Sequence, residues 1–144
     1  MKKLDKDAIQ SMLIHRDPFL LVDRVEIIDD YTIIGYKLLK QNDFYFQGHF
    51  PSNPIAPGVI LVEIAAQTGA ILLLSQDTYK NKTSYFAGID HVRFHHWVVP
   101  NDELICKVTL NNLRKNIGKA TIEAYVKDEL VLSGEILFTI ADKE

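Results

Sequence analysis

His49 and Glu63 are the two side chains whose types suit proton chemistry together, and both lie on one stretch, Gly48 to Gln67. An imidazole titrates near neutral pH and can take a proton. A carboxyl carried into apolar surroundings favours its neutral form, which can give one. Gln67 follows Glu63 by one helical turn on the same face, where an amide can orient a carboxyl group.

The elements around these residues must hold them still. Pro51, Pro54 and Pro57 fix φ and remove backbone donors, so residues 50–57 are expected to form an ordered loop carrying His49. Pro57 suits a helix start, and the run from Gly58 to about Leu74 has good helix formers and no proline. That helix is apolar nearly all round, so it belongs in a core. Glu63, Gln67 and Thr68 interrupt it too often for a membrane span. An unpaired carboxylate is rarely buried, and chemistry is one reason to bury one.

The remaining segments read as a sheet with one short helix. Asp5 to Leu13 is expected to be helical, capped by Asp5 or Asp7 and ended before Pro18. Phe19 to Ile28 and Tyr31 to Lys40 are expected as a hairpin turning at Asp29-Asp30. After a polar connection at 76–82 come four strands, Ser84 to Phe94, Glu103 to Leu113, Lys119 to Val126 and Leu130 to Ile140. The sum is an α+β fold, an antiparallel sheet around one long central helix, in a single domain over residues 1–144.

Composition narrows the functional classes. With 47% hydrophobic and 24% charged residues the chain is ordinary for a globular protein, and a net charge of −3 gives no global basic field for nucleic acid. The one cysteine, Cys106, excludes an internal disulfide and reads as an apolar strand residue. The basic start, Met1 to Asp7, lacks an apolar stretch, so no secretory signal is expected and the cytoplasm is the default compartment. His91, His95 and His96 do not complete a tetrahedral set, because on a strand His96 points away and no carboxylate or cysteine joins them; no metal is expected. His15 reads as capping or bridging at the loop start.

Three blocks together resemble the hotdog-fold (3R)-hydroxyacyl-acyl carrier protein dehydratases of the FabZ type. They are His15-Arg16-Asp17-Pro18-Phe19-Leu20-Leu21-Val22-Asp23-Arg24; Gly48-His49-Phe50-Pro51 followed by Pro54, Pro57-Gly58 and Glu63 to Gln67; and Tyr85 to Asp90 with Arg93-Phe94 and Val99-Pro100. The resemblance spans nearly the whole chain. It implies a sheet wrapped around the helix, protomers that pair their sheets, and homodimers assembled as a trimer of dimers.

It also assigns roles. His49 and Glu63 become the catalytic pair, with Glu63 of one protomer facing His49 of its neighbour. His49 as base takes the C2 proton and Glu63 as acid protonates the departing C3 hydroxyl, though one residue serving both transfers stays open. Gly58 and Val59 at the helix start offer N–H groups to the thioester oxygen, and Gln67 orients Glu63. Tyr85 and Phe86 lie near the acyl tunnel. Arg93, His95 and His96 are candidates for docking acyl carrier protein, which brings the phosphopantetheine-linked substrate; no other cofactor is implied. At His95-His96-Trp97 the family more often carries Arg and then Pro, so permanent cations give way to titratable ones. Alternatives are a dehydratase that also isomerises trans-2 to cis-3 chains, a hotdog thioesterase, and a non-catalytic acyl-binding subunit. Where the specialised isomerases typically carry Asp this chain has Glu63, which favours dehydration alone.

Overall fold

The computed structural model describes residues 1–142. Strand β1 (Lys2–Leu4) and helix α1 (Lys6–Gln10) lead to β2 (Arg24–Asp29) and β3 (Thr32–Leu38), and then, past a 3-10 turn, to α2 (Gly58–Leu74). After a second 3-10 turn the chain finishes with β4 (Lys82–Phe94), β5 (Glu103–Arg114), β6 (Ile117–Val126) and β7 (Glu129–Asp142). The strands form one antiparallel sheet in the order β1-β2-β3-β5-β6-β7-β4. β3 and β4 are joined through α2 yet lie well apart in that order, so the helix must cross the sheet. It touches β3, β4, β5, β6 and β7 on the way.

This crossing makes α2 the core. Ile64, Ile71, Leu72 and Leu73 are fully enclosed, and each contributes about 1.5–3 kcal/mol by leaving water. Thr68, also buried, satisfies its hydroxyl by donating to the Ile64 carbonyl at 2.8 Å. Gly35 on β3 lets the helix come this close, since a Cβ there would collide with the Thr68 side chain. The α+β architecture of one long helix wrapped by an antiparallel sheet is the one expected, and α2 begins and ends where the prolines and the apolar run place it.

Three local readings change. The N-terminal helix stops at Gln10 instead of Leu13, although its cap is as expected: the Asp5 carboxylate accepts from Ala8 N–H at 2.9 Å. Beyond Gln10 the Met12 and Leu13 N–H groups both turn back to the Ile9 carbonyl, closing the helix. Lys2–Leu4, with too few residues to show a period, forms an edge strand on β2. The first hairpin strand starts at Arg24, not Phe19. Leu20, Leu21 and Val22 are buried as a strand would be, but the Leu21 N–H bonds to a side chain of α2. The later four strands match expectation within three residues at either end.

β4 is the outer strand at the far edge. Tyr85, Phe86, Ile89 and Phe94 all lie exposed on it. A long edge strand carrying exposed apolar side chains is the kind that proteins normally cover.

Candidate active site

Gln67 is the fixed point of the site. It is buried, and its side-chain oxygen accepts from Leu21 N–H at 2.8 Å while its amide nitrogen donates to the Phe19 carbonyl and to Glu63 Oε2, both at 2.9 Å. The backbone partners dictate which way the amide faces: Leu21 needs an acceptor and Phe19 a donor. The second amide hydrogen is thereby aimed at Glu63. The irregular backbone of residues 19–23 thus orients Gln67, which in turn orients the carboxyl group one turn earlier on α2.

Glu63 and Gln67 open into a cavity of about 340 Å³, whose walls include Tyr85, Phe86 and His15. His15 Nε2 stands 3.7 Å from Glu63 Oε2. The sequence reading of His15 as a cap or bridge missed this, because its only signal was position beside Arg16-Asp17-Pro18. Its approach to Glu63 is made by tertiary packing. The rest of the lining is mostly apolar, with Ala66, Ala70 and Ile136 in it, and Thr83 and Ser84 add two hydroxyls.

His49 is placed elsewhere. Gly48 takes φ +81°, a left-handed backbone that glycine adopts freely, and turns the chain into the proline loop. Ile55 N–H donates to the His49 carbonyl at 2.8 Å, and the His49 ring lies 2.8 Å from the Ile55 carbonyl through Nδ1. A carbonyl only accepts, so Nδ1 carries the ring proton and the neutral ring keeps its lone pair on Nε2. The Phe50 ring stacks on the imidazole with centroids 4.3 Å apart.

His49 lines a second cavity of about 400 Å³ with Gly58, Val59, Phe94, His96 and Trp97. At its floor α2 begins. Ile60 and Leu61 N–H turn back to the Pro57 carbonyl, whereas a first-turn N–H such as Gly58 or Val59 has no intrahelical carbonyl to bond. The space beside Gly58 is already used, since a Cβ there would stand 2.7 Å from the Phe94 ring. Val59 is 73% and Trp97 77% exposed. Within one chain, therefore, Glu63, Gln67, Tyr85 and Phe86 share one cavity, and His49, Gly58, Val59 and His96 share another.

The docking candidates are on the surface beside the second cavity. Arg93 is exposed, His95 Nε2 lies 2.8 Å from Ser133 Oγ, and His96 Nε2 lies 3.1 Å from Glu129 Oε2. His91 faces Glu135 at 3.1 Å, and Lys119 faces the same carboxylate at 3.5 Å. Among the described residues no group of three His, Cys, Asp or Glu side chains could hold a metal ion. Cys106 is enclosed in β5, and burial pushes its thiol up to about 12, far from a nucleophile's range.

Residues 13–135 match the model of the FabA-like domain. The chain is 49% identical over 137 residues to a 3-hydroxyacyl-[acyl-carrier-protein] dehydratase FabZ of Caldicellulosiruptor saccharolyticus, covering 94% of this chain and 98% of that one. With the FabZ of Thermomicrobium roseum it shares 47% identity over 142 residues, 98% of this chain and 95% of the other. A solved structure, the dehydratase heterocomplex ApeI:P from Xenorhabdus doucetiae, superposes with a TM-score of 0.81 at 14% identity over 94% of this chain and 91% of that one.

Proposed function

This chain belongs to the FabA-like family, and from that premise we infer that it removes water from (3R)-hydroxyacyl chains on acyl carrier protein, leaving the trans-2-enoyl thioester, with His49 and Glu63 as its acid–base pair. It is a 3-hydroxyacyl-[acyl-carrier-protein] dehydratase, a hydro-lyase of fatty acid biosynthesis. We assign the pair to a single domain over residues 1–144, of which 143–144 lie outside the described residues.

The observation that carries the pair is the His49 tautomer. With Nδ1–H held by the Ile55 carbonyl, Nε2 is the atom free to take a proton. In this mechanism it removes the C2 proton, the C2–H electrons become the C2=C3 double bond, and the C3–O bond breaks as neutral Glu63 protonates the departing oxygen. Water leaves, and reversal of the two transfers hydrates the enoyl chain. Charge gathering on the thioester oxygen meets the Gly58 and Val59 N–H groups, reinforced by the positive end of α2. Gln67 holds Glu63 in place. Tyr85 and Phe86, which line the Glu63 cavity, flank the acyl chain.

The separation of the two residues within a chain supports a site completed by a second copy, with Glu63 of one protomer facing His49 of the other. The apolar outer face of β4 and the exposed Val59 favour the same homodimer, and we extend this to a trimer of dimers. Acyl carrier protein, acidic and bearing the phosphopantetheine arm, docks on the surface of Arg93, His95 and His96. The elimination as written needs no further cofactor. No helix among the described residues is long and apolar enough to cross a membrane, and we take the cytoplasm as the compartment.

Product analysis with a (3R)-hydroxydecanoyl carrier thioester tests this. We expect trans-2-enoyl product from the native protein and a loss of about 10²–10⁴-fold in both His49→Ala and Glu63→Gln. Full activity in either variant would remove that residue from the pair. Cis-3 product would add isomerisation, and free thiol would move the reading to a thioesterase.

A further inference from the structure

His15 has no part in the scheme above, yet its ring reaches the same carboxyl group that Gln67 holds. Two features of the ring are unequal. Nε2 faces Glu63 Oε2 at 3.7 Å, while Nδ1 is buried with no hydrogen-bond partner among the described residues. A proton on Nδ1 would be a buried N–H without an acceptor, which carries an uncompensated desolvation penalty. A lone pair there leaves no buried N–H unpaired, and orphaned buried donors are rarer than under-satisfied acceptors. The proton therefore belongs on Nε2, the side facing Glu63.

The segment is built to keep the ring there. The Arg16 guanidinium donates to the carbonyls of Leu13 and His15 at 2.7 Å and of Gln10 at 3.0 Å, which ties down the backbone on either side of His15. The His15 ring stacks on Phe19, with centroids 6.4 Å apart, and it is the Phe19 carbonyl that receives the Gln67 amide. One segment thus sets both neighbours of the carboxyl group. The charged and titratable groups facing His15 are few: Glu63 on α2 and Tyr85 on β4 line the cavity, Arg16 is spent on carbonyls, and Asp17 pairs outward with Lys6 at 3.2 Å.

We propose that His15 is a positioning residue for Glu63: a neutral imidazole whose Nε2–H, with the Gln67 amide, fixes Oε2 and leaves Oε1 as the oxygen that carries the transferred proton. At 3.7 Å the contact is longer than a hydrogen bond, and it closes when substrate fills the cavity, as catalytic contacts commonly do. Both donors point at one oxygen, so the carboxyl cannot rotate its proton away from the substrate. This inference rests on Glu63 being the acid.

The test uses the native protein and three variants. Nitrogen NMR of the histidine rings in the native protein, under the conditions of the turnover assay, should show His15 protonated on Nε2 and bare on Nδ1. An Nδ1–H tautomer or an imidazolium there overturns the proposal without any variant having to fold. In turnover, His15→Ala should lower kcat by about 10- to 100-fold with KM changed less than about threefold. His15→Gln, whose amide can reach the Nε2 position, should recover most of that loss. Unchanged kcat in His15→Ala, or a folded His15→Gln no better than His15→Ala, defeats the proposal while the loss in Glu63→Gln stands. Wild-type turnover in Glu63→Gln instead defeats the reading beneath it.

Discussion

The Glu63 region and the His49 region of this molecule are built to opposite plans. Around Glu63 the chain completes its own bracing: Gln67 is tied to Phe19 and Leu21, and His15 reaches in from the clamped segment before them. Around His49 the ring has one polar partner among the described residues, the Ile55 carbonyl, and the cavity it lines is walled by the exposed side chains of Val59, Phe94 and Trp97. The bracing of Glu63 is finished by the fold of a single chain, although its cavity is walled in part by exposed Tyr85 and Phe86. The His49 region presents an apolar surface with little polar bracing of its own, and in the proposed homodimer a second copy would supply its other wall.

The sharpest way to break this comparison is to mix two dead proteins. If each site takes His49 from one protomer and Glu63 from the other, a heterodimer of His49→Ala with Glu63→Gln has one site with both defects and one site with none. After subunit exchange, half the dimers are mixed and half their sites intact, so turnover should return to roughly a quarter of the native value. Each variant alone should be down about 10²–10⁴-fold. A mixture as inactive as its parts, with exchange confirmed by mass spectrometry, would mean that the two residues work within one chain.

A second experiment asks whether the Glu63 region is as self-contained as it looks. Gln67→Leu removes three hydrogen bonds, leaving the Leu21 N–H buried without a partner and the carbonyl of half-exposed Phe19 without its donor. Stability should fall by about 2–4 kcal/mol, read from the denaturant midpoint, and turnover should fall at least about tenfold because Glu63 loses its amide donor. Turnover lost without a change in stability would show that residues 19–23 do not depend on Gln67.

The two regions also differ in how far they could be read from the sequence. The His49 loop and the start of α2 were legible because prolines and Gly58 act through local backbone geometry, and α2 itself because its apolar run left no exposed face. The bracing of Glu63 was only half legible. Gln67 shows its partnership through the one-turn spacing, but Phe19 to Asp23 reads as a strand, since buried Leu20, Leu21 and Val22 look alike whether their backbone bonds go to a strand or to a side chain. His15 lies far from Glu63 in the chain, and nothing in the local pattern announces that folding brings its ring to the carboxyl. The three residues of β1 were invisible for another reason: they are strand only because β2 is beside them.

The smallest expected effect concerns the rim of the His49 region, where Arg93, His95 and His96 are the proposed seat for the carrier. His96 already faces Glu129 and His95 faces Ser133, so a protonated His96 is partly neutralised within the chain and Arg93 holds the permanent charge. Replacing both histidines with Ala should therefore raise KM for a carrier-bound substrate only about two- to fivefold at neutral pH, with KM for a small thioester analogue unchanged. Glu129→Gln should shift KM the other way, because it releases His96 and removes a like charge facing an acidic partner. If the histidine substitutions affect both substrates equally, the rim belongs to the catalytic cavity and the carrier is held elsewhere.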